Sequence, residues 1–88
     1  MEVAANSMAM IKAMVQSGNP NSVTDAGVGA LCVRSAVMGA FMNVRINAAA
    51  YNDKTYTADI IARGAAIQNK TLALEAEILE IVNEKIGV

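Results

Sequence analysis

The sequence contains no histidine and no tryptophan, and it has one cysteine, one proline and one phenylalanine among 88 residues. A single cysteine excludes a disulfide within the chain and any cysteine-cluster metal site. Without histidine, the chain by itself cannot form a Ser-His-Asp triad. Aromatic residues make up 3% of the chain, so it offers no stacking platform for nucleic-acid bases.

Charge is also scarce, since 7 basic and 8 acidic residues leave a net charge of −1. This balance gives no electrostatic attraction to nucleic acid or to anionic lipid, so neither is expected as a partner. The N-terminus carries Glu2 and no basic segment before an apolar core, which is unlike a secretory signal and predicts a cytoplasmic protein. Hydrophobic residues reach 55%. That is high for a chain of this size and predicts a homo-oligomer, a dimer or larger, in which partner chains cover part of the apolar surface.

The apolar residues recur at helical spacing, with turn residues between them, and predict one all-α domain over residues 1–88. Three helices are expected, at about 2–17, 23–49 and 53–86. They would form a three-helix fragment of an antiparallel helical bundle with two long helices. Gly18, in a left-handed conformation, and Pro20 are expected to end the first helix. Ser22 or Thr24 is the predicted N-cap of the second helix.

The third helix is expected to begin at a cap formed by Asn52 or Asp53. Its apolar positions alternate spacings of four and three, which predicts a heptad seam. The seam comprises Ile60, Gly64, Ile67, Thr71, Leu74, Ile78, Ile81 and Lys85. Asp59 and Arg63, one turn apart, are predicted to pair on the exposed side of this helix.

The second helix combines a small and polar strip with an otherwise apolar surface. The strip contains Asp25, Gly29, Cys32, Ala36, Gly39 and Asn43, with Asn47 one turn further on. Arg34 and Arg45 point the other way and are predicted to mark a wetter or partner-facing side. The run is rich in Ala and Gly, and Arg34 lies near its middle, so a helix buried by other helices is favoured over a membrane span. Cys32 and the methionines are interpreted as core residues.

Two polar clusters stand out as candidate sites. Asn19, Asn21 and Ser22 can gather with Asp25 at one end of the second helix, and a second group lies near the other end. That second group consists of Asn43, Arg45 and Asn47. Capping, turn formation and hydrogen bonding between helices are the structural alternatives for these residues. Since Asp25 and Asn43 are roughly 27 Å apart along a helix, the clusters can meet only if subunits or antiparallel helices bring opposite ends together.

The segments "GNPNSVTDAGVGALC" and "GAFMNVRINA" resemble the C-terminal part of the formiminotransferase-cyclodeaminase family. This family comprises the folate enzymes known as formimidoyltetrahydrofolate cyclodeaminase and methenyltetrahydrofolate cyclohydrolase. With the spacing of the two segments and the acidic last helix, the resemblance covers nearly the whole chain. The family's N-terminal helical half, with its glycine-rich segment and the acidic residue usually assigned to catalysis, is expected to lie outside these 88 residues.

The resemblance implies an all-helical, dimer-forming domain that converts 5-formiminotetrahydrofolate to 5,10-methenyltetrahydrofolate with release of ammonia. The resemblance also implies the related cyclohydrolase reaction. The protein would then be a lyase or a hydrolase, linked to histidine degradation. Asp25 is carried over as the catalytic residue, with a tetrahydrofolate derivative as substrate and no bound cofactor or metal. The residues carried over to the substrate are Asn19, Asn21, Ser22, Asn43, Arg45 and Asn47. The alternative is a non-catalytic oligomerisation module that keeps the fold without its active site.

Overall fold

The computed structural model describes residues 1–18 and 20–87, with the backbone alone at residues 20 and 21. The described chain contains three α-helices and no strand: α1 at Glu2–Ser17, α2 at Pro20–Ala49 and α3 at Lys54–Ile86. The prediction of an all-helical chain with three helices is thereby confirmed. Because α2 and α3 have 30 and 33 residues, the molecule is elongated, with extents of 51 × 20 × 15 Å.

The junction of α1 and α2 differs from the prediction. Gly18 has φ −79° and ψ 157°, which is extended rather than left-handed backbone. α2 already begins at Pro20, because proline is well tolerated at the first position of a helix, where its missing N–H is not needed. Ser22 and Thr24 therefore lie inside the helix, and their predicted role as N-cap is wrong. The Lys85 ammonium of α3 donates to the carbonyl oxygens of Gln16 at 2.9 Å and Gly18 at 3.2 Å, at the C-terminal end of α1.

The ends of α3 follow ordinary capping chemistry. The Asp53 carboxylate accepts a hydrogen bond from the backbone N–H of Tyr56 at 3.0 Å, so the predicted aspartate cap is confirmed. At the other end Gly87 adopts φ 79° and donates its N–H to the carbonyl of Asn83 at 3.1 Å. A left-handed residue at this position is the common way to end a helix, and glycine adopts it without steric strain.

The interior is built on the heptad seam of α3. Every member of the predicted seam is buried or half-buried, as the alternating spacing requires. The core that packs on this seam combines residues of all three helices: Met8, Val15, Val23, Ala26, Ala30, Ile78 and Val82. The predicted pair of Asp59 and Arg63 is also present, at 4.0 Å on the exposed side of α3.

Contacts between α2 and α3 occur in opposite order along the two helices. The contact pairs are Gly27 with Val82, Arg34 with Glu75, and Phe41 with Gly64. Between α1 and α3 the order is the same on both helices, with ion pairs of Glu2 with Arg63 and Lys12 with Glu77. α1 therefore runs alongside α3 from Arg63 to Lys85.

Several apolar residues predicted to be internal are exposed, and that part of the prediction is wrong. On α1, Met10 and Met14 are exposed, whereas Met8 is buried as predicted. On α2, Cys32 and Met42 face solvent as well. The physical reason is the number of neighbours: each of three helices contacts only two others, so each buries one face and leaves the opposite face uncovered.

Candidate functional site

The predicted catalytic carboxylate lies on the surface. Asp25 is the sixth residue of α2 and is exposed. It therefore lies beyond the first turn of the helix. A carboxylate interacts most strongly with the helix dipole when it lies within that first turn. Ser22, one turn earlier, is exposed too. The predicted contributions of Asn19 and of the Asn21 side chain lie outside the described residues. The described part of the first cluster is thus an accessible carboxylate with a hydroxyl beside it.

The second cluster is equally accessible. Asn43, Arg45 and Asn47 are exposed on the last two turns of α2. Because both amides face solvent, they carry no burial penalty that a hydrogen bond between helices would have to offset. The Arg45 guanidinium carbon lies 4.9 Å from the centroid of the Phe41 ring, within the range of a cation–π contact. This contact holds the arginine along the helix surface at Phe41, one turn earlier in α2.

The structure keeps the two clusters apart. α2 is one continuous helix from Pro20 to Ala49, and the eighteen residues from Asp25 to Asn43 correspond to roughly 27 Å of helix at 1.5 Å per residue. A small reacting group held by one cluster is therefore out of reach of the other cluster in the same chain.

A cleft at the turn between α2 and α3 adds a feature that the sequence interpretation missed. It has a volume of about 220 Å³. Its lining residues are Val44, Asn47, Ala48, Tyr51, Tyr56, Thr57 and Ile60. The rings of Tyr51 and Tyr56 stand 5.5 Å apart, tilted by 46°. The volume is below the roughly 300 to 1,000 Å³ of typical small-molecule pockets, so the cleft suits a single ring system rather than a whole folate. In the sequence, the available signal for this cleft was that Tyr51 and Tyr56 both lie close to the turn at residues 50–53.

A second feature missed by sequence interpretation is an ion pair inside the three-helix unit. The Arg34 Nε lies 3.4 Å from Oε2 of Glu75, whose side chain is only 11% exposed. This oxygen is buried and has no hydrogen-bond partner among the described residues, so the nearby guanidinium is its main compensation. Arg34 reaches towards Glu75 of α3 while 44% of its side chain stays exposed, in agreement with its predicted place on a wetter side of α2. In the sequence, the signal for a buried Glu75 was its spacing, because it lies one helical turn after Thr71 of the seam.

Within the described residues, no group of three or more acidic or cysteine side chains is arranged to hold a metal ion. The functional groups available at the two clusters are a carboxylate, two amides, a guanidinium and a hydroxyl. Such groups can transfer protons and hold a polar heterocycle by hydrogen bonds.

The family model for formiminotransferase-cyclodeaminase matches residues 1–66. The match covers three quarters of the chain and includes both motif segments, and the chain belongs to this family. The resemblance seen in the sequence is confirmed. Comparisons with curated proteins and with solved structures gave no significant match.

Proposed function

We propose that this chain acts in folate one-carbon chemistry as the C-terminal part of a cyclodeaminase domain. The observation that carries the proposal is the family match over residues 1–66, because it contains both polar clusters of α2. The accessibility of Asp25 and of the amides at Asn43 and Asn47 supports it. All three side chains are free of the core and available to a small molecule.

The reaction we propose is the closure of 5-formiminotetrahydrofolate to 5,10-methenyltetrahydrofolate. The N10 nitrogen attacks the formimino carbon, which forms a new C–N bond and gives a tetrahedral intermediate. The formimino group enters as its amidinium (–CH=NH2+); N10 loses its proton, the departing NH2 group gains one, and the bond from carbon to that nitrogen breaks to release ammonia and leave the methenyl cation. These steps need proton transfer and correct positioning, which together account for much of the acceleration of such reactions.

In this proposal Asp25 is the proton carrier. Its carboxylate accepts the proton from N10 and returns one to the leaving nitrogen. Asn43 and Asn47 hold the pterin through its amide edge, and Arg45 faces the anionic glutamate tail of the folate. The cleft beside Asn47, with Tyr51 at its wall, offers an apolar surface next to one of these amides. The related hydrolysis of the methenyl compound would use the same groups, with water in place of N10.

The test is turnover by the purified full chain. The chain is incubated with 5-formiminotetrahydrofolate, and the methenyl product is followed by absorbance while ammonia is assayed separately. We expect product and ammonia to appear in equal amounts, and Asp25→Asn to lower kcat by about 100-fold or more, the usual range for a lost general acid–base group.

A matched control is Asp59→Asn, which removes another exposed carboxylate, this one on α3, where its side chain is 66% exposed and lies 4.0 Å from Arg63. It should retain wild-type turnover. Absence of both turnover and folate binding by calorimetry would contradict the proposal for this chain. Wild-type turnover by Asp25→Asn would contradict the assignment of the carboxylate.

A further inference from the structure

The cleft at the turn between α2 and α3 has walls that hydrogen bonds of the turn hold in place. The N–H of Tyr51 donates to the carbonyl of Ala48 at 3.1 Å, and the carbonyl of Tyr51 accepts from the Lys54 ammonium at 3.3 Å. The N–H of Tyr56 donates to the Asp53 carboxylate at 3.0 Å. Because both tyrosines are fixed at the main chain, a ligand would find the cleft already formed and would have little ordering to pay for.

The two tyrosine rings form a single wall of the cleft. Their centroids are 5.5 Å apart and their planes are tilted by 46°, which is a favourable arrangement for an aromatic pair. A third ring placed between them would need roughly 7 Å, twice the contact distance of about 3.5 Å between carbon atoms. A ligand therefore lies against the pair and not inside it. Tyr51 and Tyr56 are 55 and 53% exposed, so both have surface left for that contact.

The rest of the lining is suited to an uncharged molecule. Val44, Ala48 and Ile60 supply apolar surface, and none of the described residues that line the cleft is charged. An ion would lose hydration there without gaining a counter-charge from the lining. The Lys54 ammonium, held at the Tyr51 carbonyl, additionally repels a cation from this end of the turn.

The size of the cleft corresponds to one ring. Its volume is about 220 Å³, and an apolar cavity of about 150 Å³ in another protein is large enough to bind benzene. A benzene ring therefore fits, with space left for one small substituent.

The polar groups of the cleft indicate what that substituent is. Thr57 is only 7% exposed, and its hydroxyl donates to the carbonyl of Lys54 at 3.1 Å. Since its one proton is used, the hydroxyl oxygen can only accept a further hydrogen bond. The exposed carboxamide of Asn47 offers a donor and an acceptor at the rim. A ring that carries an N–H or O–H group complements the buried acceptor.

We propose that this cleft binds one uncharged aromatic ring that carries an N–H or O–H donor, which is the chemistry of a phenol, an aniline or an aromatic amide. The ring packs against Tyr51 and Tyr56, and its donor binds the hydroxyl oxygen of Thr57. Such a ring can belong to a free small molecule or to the aminobenzoyl group of a folate. Only the second source rests on the proposed function.

Aromatic NMR signals test the proposal directly, because the chain has two tyrosines, one phenylalanine and neither tryptophan nor histidine. In proton–carbon spectra of the full chain, 4-aminobenzamide should shift the ring signals of Tyr51 and Tyr56 saturably, with a dissociation constant on the order of 1 mM for so small a ligand. Phe41, which is outside the lining, should shift less and serves as the internal reference.

Cyclohexanecarboxamide is the matched ligand control, because it has a similar size and an amide N–H but no aromatic ring. It should bind about five-fold more weakly, since it lacks the ring-to-ring contact with the tyrosines. Equal binding of the two compounds, or no saturable shift with 4-aminobenzamide, would overturn the proposal.

Three variants locate the binding. Tyr51→Ala removes half of the aromatic wall and should weaken binding of 4-aminobenzamide about five-fold or more, measured on the Tyr56 signals. Thr57→Val keeps the side-chain shape without the acceptor and should weaken it by about the same factor. Ile46→Ala is the matched control, because Ile46 is a large side chain of α2 that is 69% exposed and outside the lining; it should bind as the unmodified chain does.

Circular dichroism should show the same helix content in all three variants. If Thr57→Val loses helix, Tyr51→Ala decides alone, because that side chain is exposed and outside the core. Unchanged affinity in Tyr51→Ala would overturn the assignment of the ring to this cleft.

Folic acid distinguishes the two sources of the ring. If the ring belongs to a folate, folic acid should shift the same tyrosine signals, displace 4-aminobenzamide and bind at least ten-fold more tightly. If folic acid leaves these signals unchanged while 4-aminobenzamide shifts them, the ligand is a free small molecule. Turnover of 5-formiminotetrahydrofolate without a tyrosine response to 4-aminobenzamide would leave the proposed function standing and overturn this inference. A tyrosine response without turnover would do the reverse.

Discussion

The ring of Phe41 on α2 lies directly against the backbone of Gly64 on α3. A Cβ atom at position 64 would stand 2.6 Å from Cε1 and 2.7 Å from Cδ1 of that ring. Both residues are buried, so the Phe41 ring occupies the space that a side chain at Gly64 would need. The contact sets how closely the two long helices approach near the connecting turn.

Gly64→Ala should therefore destabilise the chain even though alanine favours helices. Overpacking at a buried contact costs about 1 to 3 kcal/mol, which exceeds the roughly 0.5 to 1 kcal/mol that alanine contributes over glycine in a helix. Urea unfolding followed by circular dichroism, at fixed chain concentration, measures the change. Gly29→Ala is the control, because its Cβ would meet Ile11 Cδ1 at an ordinary 3.6 Å. Phe41→Leu should recover part of the loss in the Gly64→Ala chain, and equal destabilisation by both alanines would refute the packing argument.

Arg34 and Glu75 should behave as a coupled pair, in which the carboxylate is buried and the guanidinium is partly exposed. Arg34→Met leaves the Glu75 oxygen buried without its cation and should lower the free energy of unfolding by about 1 to 3 kcal/mol. Adding Glu75→Leu should recover most of that loss, since an apolar pair of similar size can replace a buried ion pair. Arg63→Met, which removes an exposed cation 62% open to solvent, should cost less than about 1 kcal/mol. Additive losses in the double variant would show that the two residues do not interact.

Lys85 should hold the C-terminal end of α1. Its ammonium reaches the carbonyls of Gln16 and Gly18, which no longer have partners within their own helix. Lys85→Met should destabilise the chain by about 1 kcal/mol and speed hydrogen exchange at the last turn of α1 more than elsewhere. Lys70→Met, at an exposed position of the same helix, should leave that exchange unchanged. A uniform increase in the hydrogen-exchange rate along α1 would instead indicate that the helix has lost its packing.

The helices themselves could be predicted because their signals are local. The seam of α3 is visible as a spacing, and Asp53 is visible as a cap, because both depend on residues within a turn or two of each other. The start of α2 was misplaced for an equally local reason. Pro20 was interpreted as a helix breaker, although a proline at the first helical position is favourable.

The burial of individual apolar residues could not be predicted in the same way. Met10, Met14 and Met42 have the hydrophobicity and the spacing of core residues, and all three are exposed. Apolar residues occur on every side of α2, so its periodicity does not distinguish the face that meets α3 from the face that meets nothing among the described residues of this chain. Only the positions of the neighbouring helices make that distinction.

The sequence by itself determined the helical class, the heptad seam of α3, its aspartate cap and membership of the formiminotransferase-cyclodeaminase family. Each of these depends on residue types at short or fixed spacing. The tertiary structure decided that Arg34 meets Glu75, that Phe41 lies on Gly64, and that Asp25 and Asn43 stay at opposite ends of an uncovered face. Those outcomes depend on how the three helices pack against one another. The relative rotation of packed helices is set by contacts between residues that are far apart in the chain.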